Sequence, residues 1–194
     1  MELAVVGADG IARCWWCAGD PIYEAYHDQE WGRPIRDDQQ LFALLMLEGF
    51  QAGLSWRTIL HRRASFARAF ANWDPEIIAA YGAVDIERLM NDPGIIRNRL
   101  KVNGTVRNAQ AYLQIRAETG SFADYIWTFV NGQTITRPRI ARMDEGLSTT
   151  PESDAMAKAL KKRGFTFVGS TICYAFMQSA GLVDDHAQGC HLAL

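Results

Sequence analysis

The sequence predicts an all-helical protein, and three observations carry that expectation. Apolar residues recur at helical spacing in one segment after another, acidic or hydroxyl residues stand where those segments begin, and no stretch alternates polar and apolar residues as a half-buried strand would. Repeats and low-complexity tracts are absent. A chain of 194 residues is long enough for one cohesive unit burying roughly 70% of its unfolded surface.

Residues 1–12, beginning "MELAVVGADG", are mildly apolar and stop at Gly and Asp, so they read as a tail or short cap. "DDQQLFALLMLEGFQAGLSW" opens with capping candidates Asp37 and Asp38 and places Leu41, Leu44, Leu45 and Gly49 on one helical face. Gly49 and Gly53 are expected to loosen or end that helix. "RTILHRRASFARAF" puts Ile59, Phe66 and Phe70 on one face and basic residues on the other, the pattern of a surface helix. In "DPEIIAAY", Asp74 precedes Pro75 at a first-turn position, and "VDIERLM" is a further short helix.

"RLMNDPGIIRNRLKVNGTVRNAQAYLQI" reads as helix, tight Pro-Gly break and long helix, with Arg97, Arg99, Lys101 and Arg107 after the break. Such a hairpin can hold a DNA phosphate through amides and the positive helix end, or be a plain helix-helix turn. "SFADYIWTFV" is a capped apolar helix, and "NGQTITRPRIARMDEGLSTTP" a long loop. "ESDAMAKALKKRGF" restarts helix with Ser153 as its cap and Gly164 at its end. "VGSTICYAFMQSAGL" is a last, buried helix in which Cys173 is a small core residue.

The formal charge of -2 argues against indiscriminate polyanion binding, but it is unevenly spread. Residues 1–96 carry 8 Lys or Arg against 14 Asp or Glu, and residues 97–194 carry 12 against 8. Any phosphate contacts are therefore expected mainly in the second half, with Arg57, Arg62 and Arg63 as exceptions. Four cysteines are too few for a disulfide scaffold, and no apolar run approaches the roughly 20 residues of a membrane span. A soluble protein of a reducing compartment is expected.

Soft and borderline metal donors gather near both ends of the sequence: Cys14, Cys17 and His27 in one region, His186, Cys190 and His191 in the other. Four of them suit a closed, structural zinc site. Spacing alone leaves the set open, since Cys14, Cys17, His186 and Cys190 serve as well as a set including His27. A redox pair in "CWWC" is the weaker reading, because no strand-turn-helix context surrounds it. Glu48 stands among apolar residues, where a carboxylate needs hydrogen bonds or a role, and Trp16, Tyr23, Tyr26, Trp31 and Trp56 fall in the same candidate regions. Aromatic faces of this kind can sandwich a planar ligand, although any one of them is more often plain core.

"YHDQEWG", "LEGFQAGLSW", "GFTFVGSTICYAFMQSAGLVDDH" and the flanking cysteines together resemble the bacterial type I 3-methyladenine DNA glycosylase family, over about residues 13–191. The resemblance implies a helix-hairpin-helix glycosylase fold, a single catalytic unit over 13–191 (with two helical subdomains flanking the base pocket) and a C-terminal tail at 192–194. It implies one structural Zn(2+) held by Cys14, His27, His186 and Cys190, with Cys17 and His191 outside. It assigns Glu48 and Tyr26 to the chemistry, Trp56, Trp16, Tyr23 and Trp31 to the base pocket, and Gly94, Arg97, Arg99 and Lys101 to the DNA backbone. The hairpin departs from the superfamily's Gly-x-Gly, and the superfamily's catalytic aspartate is not identifiable. The implied activity is monofunctional excision of 3-methyladenine from double-stranded DNA, with 3-methylguanine a weaker substrate and no organic cofactor, by a cytoplasmic monomer. The alternative is a zinc-stapled helical DNA-binding protein without catalysis.

Overall fold

Start signals in the sequence act as caps. Asp37, Asp74 and Ser121 each accept amides of the first turn that follows them. The computed structural model describes residues 3–193, so residues 1, 2 and 194 of the expected tails lie outside the described residues. Among the described residues ten α-helices follow in order: α1 Pro21–Gln29, α2 Asp38–Gln51, α3 Trp56–Leu60, α4 Arg63–Ala69, α5 Pro75–Ala79, α6 Ala83–Met90, α7 Arg99–Thr119, α8 Phe122–Trp127, α9 Pro151–Lys162 and α10 Ser170–Ser179. Asp38 caps a different helix from the one it begins: its carboxylate accepts from Ser121 Oγ and from the amides of Phe122 and Ala123 at 2.8–2.9 Å, which fastens α2 to the start of α8.

The all-helical expectation needs one correction. Two short ladders accompany the helices: β1 Ala4–Val6 pairs antiparallel with β2 Ala12–Cys14, and β3 Ile135–Thr136 pairs parallel with β4 Val183–Asp184. Strands of two or three residues are too short to show an alternating pattern. The expected tail is thus a hairpin, with Leu3 buried beside Cys14, Ala187 and Cys190.

The helix expected across residues 57–70 breaks at His61, whose Nε2 lies 2.7 Å from Asp20 Oδ2, the carboxylate that caps α1. Thr150, not Ser153, is the N-cap of α9; Ser153 is its reciprocal partner three residues on.

One apolar core runs from Tyr26 to Val183, with α2 packed against α10, α9 against α10, and α7 against α5, α6 and α8. At the end of α10 the chain turns at Gly181 (φ +71°), where a Cβ would meet the backbone of Arg33 at 2.3 Å. That close approach brings β4 and the histidine after it against the end of α1.

Lys101 corrects the expectation of a phosphate contact. It is buried, and its ammonium donates to the carbonyls of Phe50 at 2.8 Å and Ala52 at 2.6 Å, at the C-terminal end of α2. A cation there satisfies orphan carbonyls and the helix dipole. Lys101→Met is therefore expected to cost about 2 kcal/mol of stability in urea unfolding and leave DNA affinity and its salt dependence unchanged. A loss of DNA affinity at unchanged stability is the contrary result.

Candidate active site

Helices α1, α2, α3 and α10 converge on a cavity of about 580 Å³, which residues of the 137–148 segment also line. Each contributes a side chain that its own position dictates. Trp56 is the first residue of α3, set by the Ser55 cap, whose hydroxyl accepts from the Thr58 amide. Tyr23 and Tyr26 lie one turn apart on α1, and Glu48 lies near the C-terminal end of α2. All six residues expected at a base pocket, Glu48, Tyr26, Trp56, Trp16, Tyr23 and Trp31, line this one cavity.

The aromatic rings form a connected wall. Tyr26 and Trp56 have ring centroids 5.5 Å apart, Trp16 lies 5.0 Å from Tyr23 and 4.9 Å from Trp31, and Trp31 meets the His186 ring edge-on at 4.7 Å. Glu48 is 1% exposed and receives one hydrogen bond, from Ser179 Oγ to Oε1 at 2.8 Å. Burial pushes its carboxyl up to about 8, against the weaker opposing pull of the Ser179 hydroxyl. Burial likewise holds the Tyr26 phenol well above its ordinary value.

Among the described residues, four buried side-chain polar atoms lack a partner: Tyr26 Oη, Glu48 Oε2, Trp56 Nε1 and Arg137 Nε. All four belong to residues that line this cavity. Native interiors leave few such groups unpaired, so their convergence marks a place made for a polar guest between aromatic faces.

Behind the aromatic wall lies a cluster of metal donors. Cys14 Sγ is 3.7 Å from His186 Nδ1, Cys190 Sγ is 3.7 Å from His186 Nδ1 and 3.4 Å from His27 Nε2, and the four ligand atoms all lie within 4.8 Å of one another. A tetrahedral ion with typical sulfur and nitrogen distances requires sulfur-nitrogen edges of about 3.6 Å, so the two thiols and two imidazoles fit. The far nitrogen of His27, Nδ1, meets Asp28 Oδ1 at 2.8 Å; Asp28 is gripped by the buried Arg13, which Asp9 also holds at 2.8 Å. Such a carboxylate fixes the ring and tautomer of a ligating histidine. Of the donors that spacing left open, Cys17 Sγ donates to the Cys14 carbonyl at 3.1 Å, and His191 Nδ1 lies 2.9 Å from the Ala12 carbonyl.

The residues expected at the DNA backbone are not among those lining the cavity: Gly94 and Arg97 lie on the turn between α6 and α7, and Arg99 and Lys101 in the first turn of α7. The Gly94 amide donates to Asp92 Oδ1 at 2.7 Å, and a Cβ at Gly94 would meet Ser65 at 3.0 Å, so the turn sits tight against α4. Arg97 is exposed. Arg99 pairs with Glu87 at 2.8 Å.

Sequence reading missed Ser179, Arg137 and the Tyr174–Asp185–Gln178 group. In that group Tyr174 donates its hydroxyl to Asp185, and Gln178 Nε2 donates to the same oxygen at 2.9 Å. One signal was present for Ser179: a hydroxyl on the buried face of an apolar helix needs an acceptor.

The family model described as methyladenine glycosylase matches residues 16–193. A curated relative, DNA-3-methyladenine glycosylase 1 of Escherichia coli (strain K12), is 49% identical over 183 residues, covering 93% of this chain and 96% of that protein. Among solved structures, one of 3-methyladenine DNA glycosylase I superposes with a TM-score of 0.91 at 50% identity, covering 94% of this chain and 100% of that one. A second, of a variant of a 3-methyladenine DNA glycosylase I in complex with 3-methyladenine, superposes with a TM-score of 0.88 at 37% identity, covering 92% of this chain and 96% of that one.

Proposed function

The chain belongs to the methyladenine glycosylase family, and from that membership and the pocket we infer that it is a DNA glycosylase that excises 3-methyladenine. The observation that carries this reading is the convergence of four unpaired buried polar atoms on one aromatic-walled cavity. A zinc-stapled binding protein without catalysis would have no use for it.

Methylation at N3 makes adenine cationic and a good leaving group, so strong acid catalysis is not needed. The chain's work is to take the nucleotide out of the stack, hold the base and leave C1' open to water. Unstacking costs a few kcal/mol, which stacking on Trp56 and contact with Tyr23, Trp16 and Trp31 offset.

Glu48 Oε2 accepts from the exocyclic amine, and the Tyr26 hydroxyl orients the same edge. An empty pocket keeps Glu48 protonated near neutrality. A cationic base drives that proton off by attraction in a dry site, so the pocket favours methylated over normal adenine. 3-Methylguanine lacks the amine at that place and is the weaker substrate. No lysine is among the residues lining the cavity, so the reading is hydrolysis to an abasic site, without a Schiff base or strand cleavage.

Cys14, His27, His186 and Cys190 hold one zinc ion in this reading, supported by the fit of two sulfur and two nitrogen donors. The ion supplies structure and no open coordination position, and its ligands tie β2 and α1 to the segment after β4 behind the pocket. The stretch from α6 to α7 serves as the helix-hairpin-helix, with Gly94 shaping the turn and Arg97 and Arg99 facing phosphate; Arg99 exchanges Glu87 for DNA. We take residues 13–191 to act as one catalytic unit and the enzyme as a cytoplasmic monomer on double-stranded DNA. No helix of the described residues is long and apolar enough to cross a membrane.

Purified protein incubated with DNA carrying 3-methyladenine is expected to release the free base, identified by mass, and to leave the strand intact until alkali cleaves it. Binding without release of base overturns the assignment in favour of the non-catalytic reading.

A further inference from the structure

Glu48 has one hydrogen-bond partner, and the backbone that carries it is tied down on both sides. Ser179 is the last residue of α10 and is 5% exposed. The backbone on either side of it is tied to the segment after α1: the Gly32 amide donates to the Gln178 carbonyl at 3.1 Å and the Ile35 amide to the Ala180 carbonyl at 3.0 Å. Gly181 then passes against Arg33 with no room for a side chain. The backbone that carries Ser179 is therefore held in place, and its hydroxyl donates to Oε1 of Glu48 while Oε2 is left unpaired.

The terminal torsion of a glutamate is broad and roughly two-fold, so a buried carboxyl without a partner presents either oxygen over a range of angles. One hydrogen bond from a donor on a held backbone removes that freedom. We propose that Ser179 is a positioning residue for base recognition: it pins Oε1 so that Oε2, together with the Tyr26 hydroxyl, forms the edge that reads the base. The proposal rests on the reading of Glu48 as the base-recognition group. The residue touches Glu48, and no proton or bond is transferred through it.

The hydrogen bond also favours the ionised carboxyl, so its removal moves Glu48 to still higher pH. Ser179→Ala is expected to lower kcat/KM for 3-methyladenine excision about ten-fold at neutral pH. Its acidic limb is expected to move upward in pH, with DNA affinity and Tm close to those of the parent. The other ionisable groups facing the cavity, Tyr23 and Tyr26 from α1, Arg137, Arg139 and Glu145 from the loop, Tyr174 from α10, and Asp184, Asp185 and His186 from β4 onward, are common to both proteins; Ser179 also acts on Tyr26, but burial keeps that phenol well above its ordinary value, outside the acidic limb. Ser179→Thr keeps the hydroxyl and is expected to restore most of the rate and the parental pH profile.

In a Glu48→Gln background, Ser179→Ala is expected to add little, because its effect passes through Glu48. An unchanged rate and profile in Ser179→Ala, or the same fractional loss with and without Glu48, overturns the proposal. If Glu48→Gln itself leaves excision unchanged, the recognition reading of Glu48 falls first. If Glu48→Gln is crippling and Ser179→Ala is silent, the Ser179 assignment alone fails.

Discussion

Glu48→Gln is expected to lower 3-methyladenine excision by about ten- to a hundred-fold, the range of a hydrogen bond to a charged group. It is also expected to make the protein less sensitive to alkali. The carboxyl of Glu48 titrates near 8 in the folded protein against a reference value of 4.5, because burial opposes its charge. A raised carboxyl favours the fold while it is protonated. That contribution is whole below about pH 4.5 and is lost as the pH rises toward 8.

By linkage, the loss between pH 4 and pH 7 is about 3 kcal/mol, an order-of-magnitude figure. Other carboxylates, among them Asp38 and Asp184, are held below their usual range and work in the opposite sense, so the comparison must be made between the two proteins. The Tm of Glu48→Gln minus that of the parent is expected to grow from pH 5 to pH 8, while activity falls. A difference that stays flat across that range refutes the buried-acid account, whatever happens to the rate.

Loss of the metal ligands is expected to have the second large effect, with stability failing before chemistry. Cys14→Ala and His186→Ala each break a four-donor set that joins the two ends of the fold. Each variant is expected to lose its equivalent of zinc and about 3 kcal/mol or more of stability, a fall of roughly 10 °C in Tm for a domain of this size. Excision at low temperature should persist in part, because no ligand presents an open position to substrate. The pocket wall still suffers, since Trp31 and Trp16 lean on His186 and His27. One equivalent of zinc retained in both variants would remove the assignment.

Much of the site was legible because local chemistry constrained it. A carboxylate in "LMLEGF" is costly without a purpose, and Glu48 is indeed the buried, half-satisfied group of the cavity. Helix starts at Asp37, Asp74 and Ser121 were legible because a cap needs only its own first turn. What escaped depends on distant partners. Ser179 meets Glu48 across 131 positions; its buried hydroxyl signals that an acceptor is needed, but nothing local says which. Lys101 stands in a basic run, where the sequence points to a DNA contact, but the turn of α7 directs it inward to the end of α2. The donor set was ambiguous in one dimension because 13 residues separate Cys14 from His27; folding of α1 against β2 supplies the proximity.

The donor cluster has a further consequence for the chain as a polymer. With an ion in place, the path from Cys14 to Cys190 is a closed ring, sealed a second time where the His191 amide bonds to the Ala12 carbonyl at 2.8 Å. A ring keeps its circumference when it melts, and for loops beyond a hundred residues that restriction of the denatured chain is worth about 5 kcal/mol in the cross-link description. Among the described strands, only β1, which precedes Cys14, lies wholly outside the ring. With β1 stripped away, the segment from Cys14 to Cys190 still cannot open until a coordinate bond breaks, so the lifetime of the ion sets the lifetime of the ring.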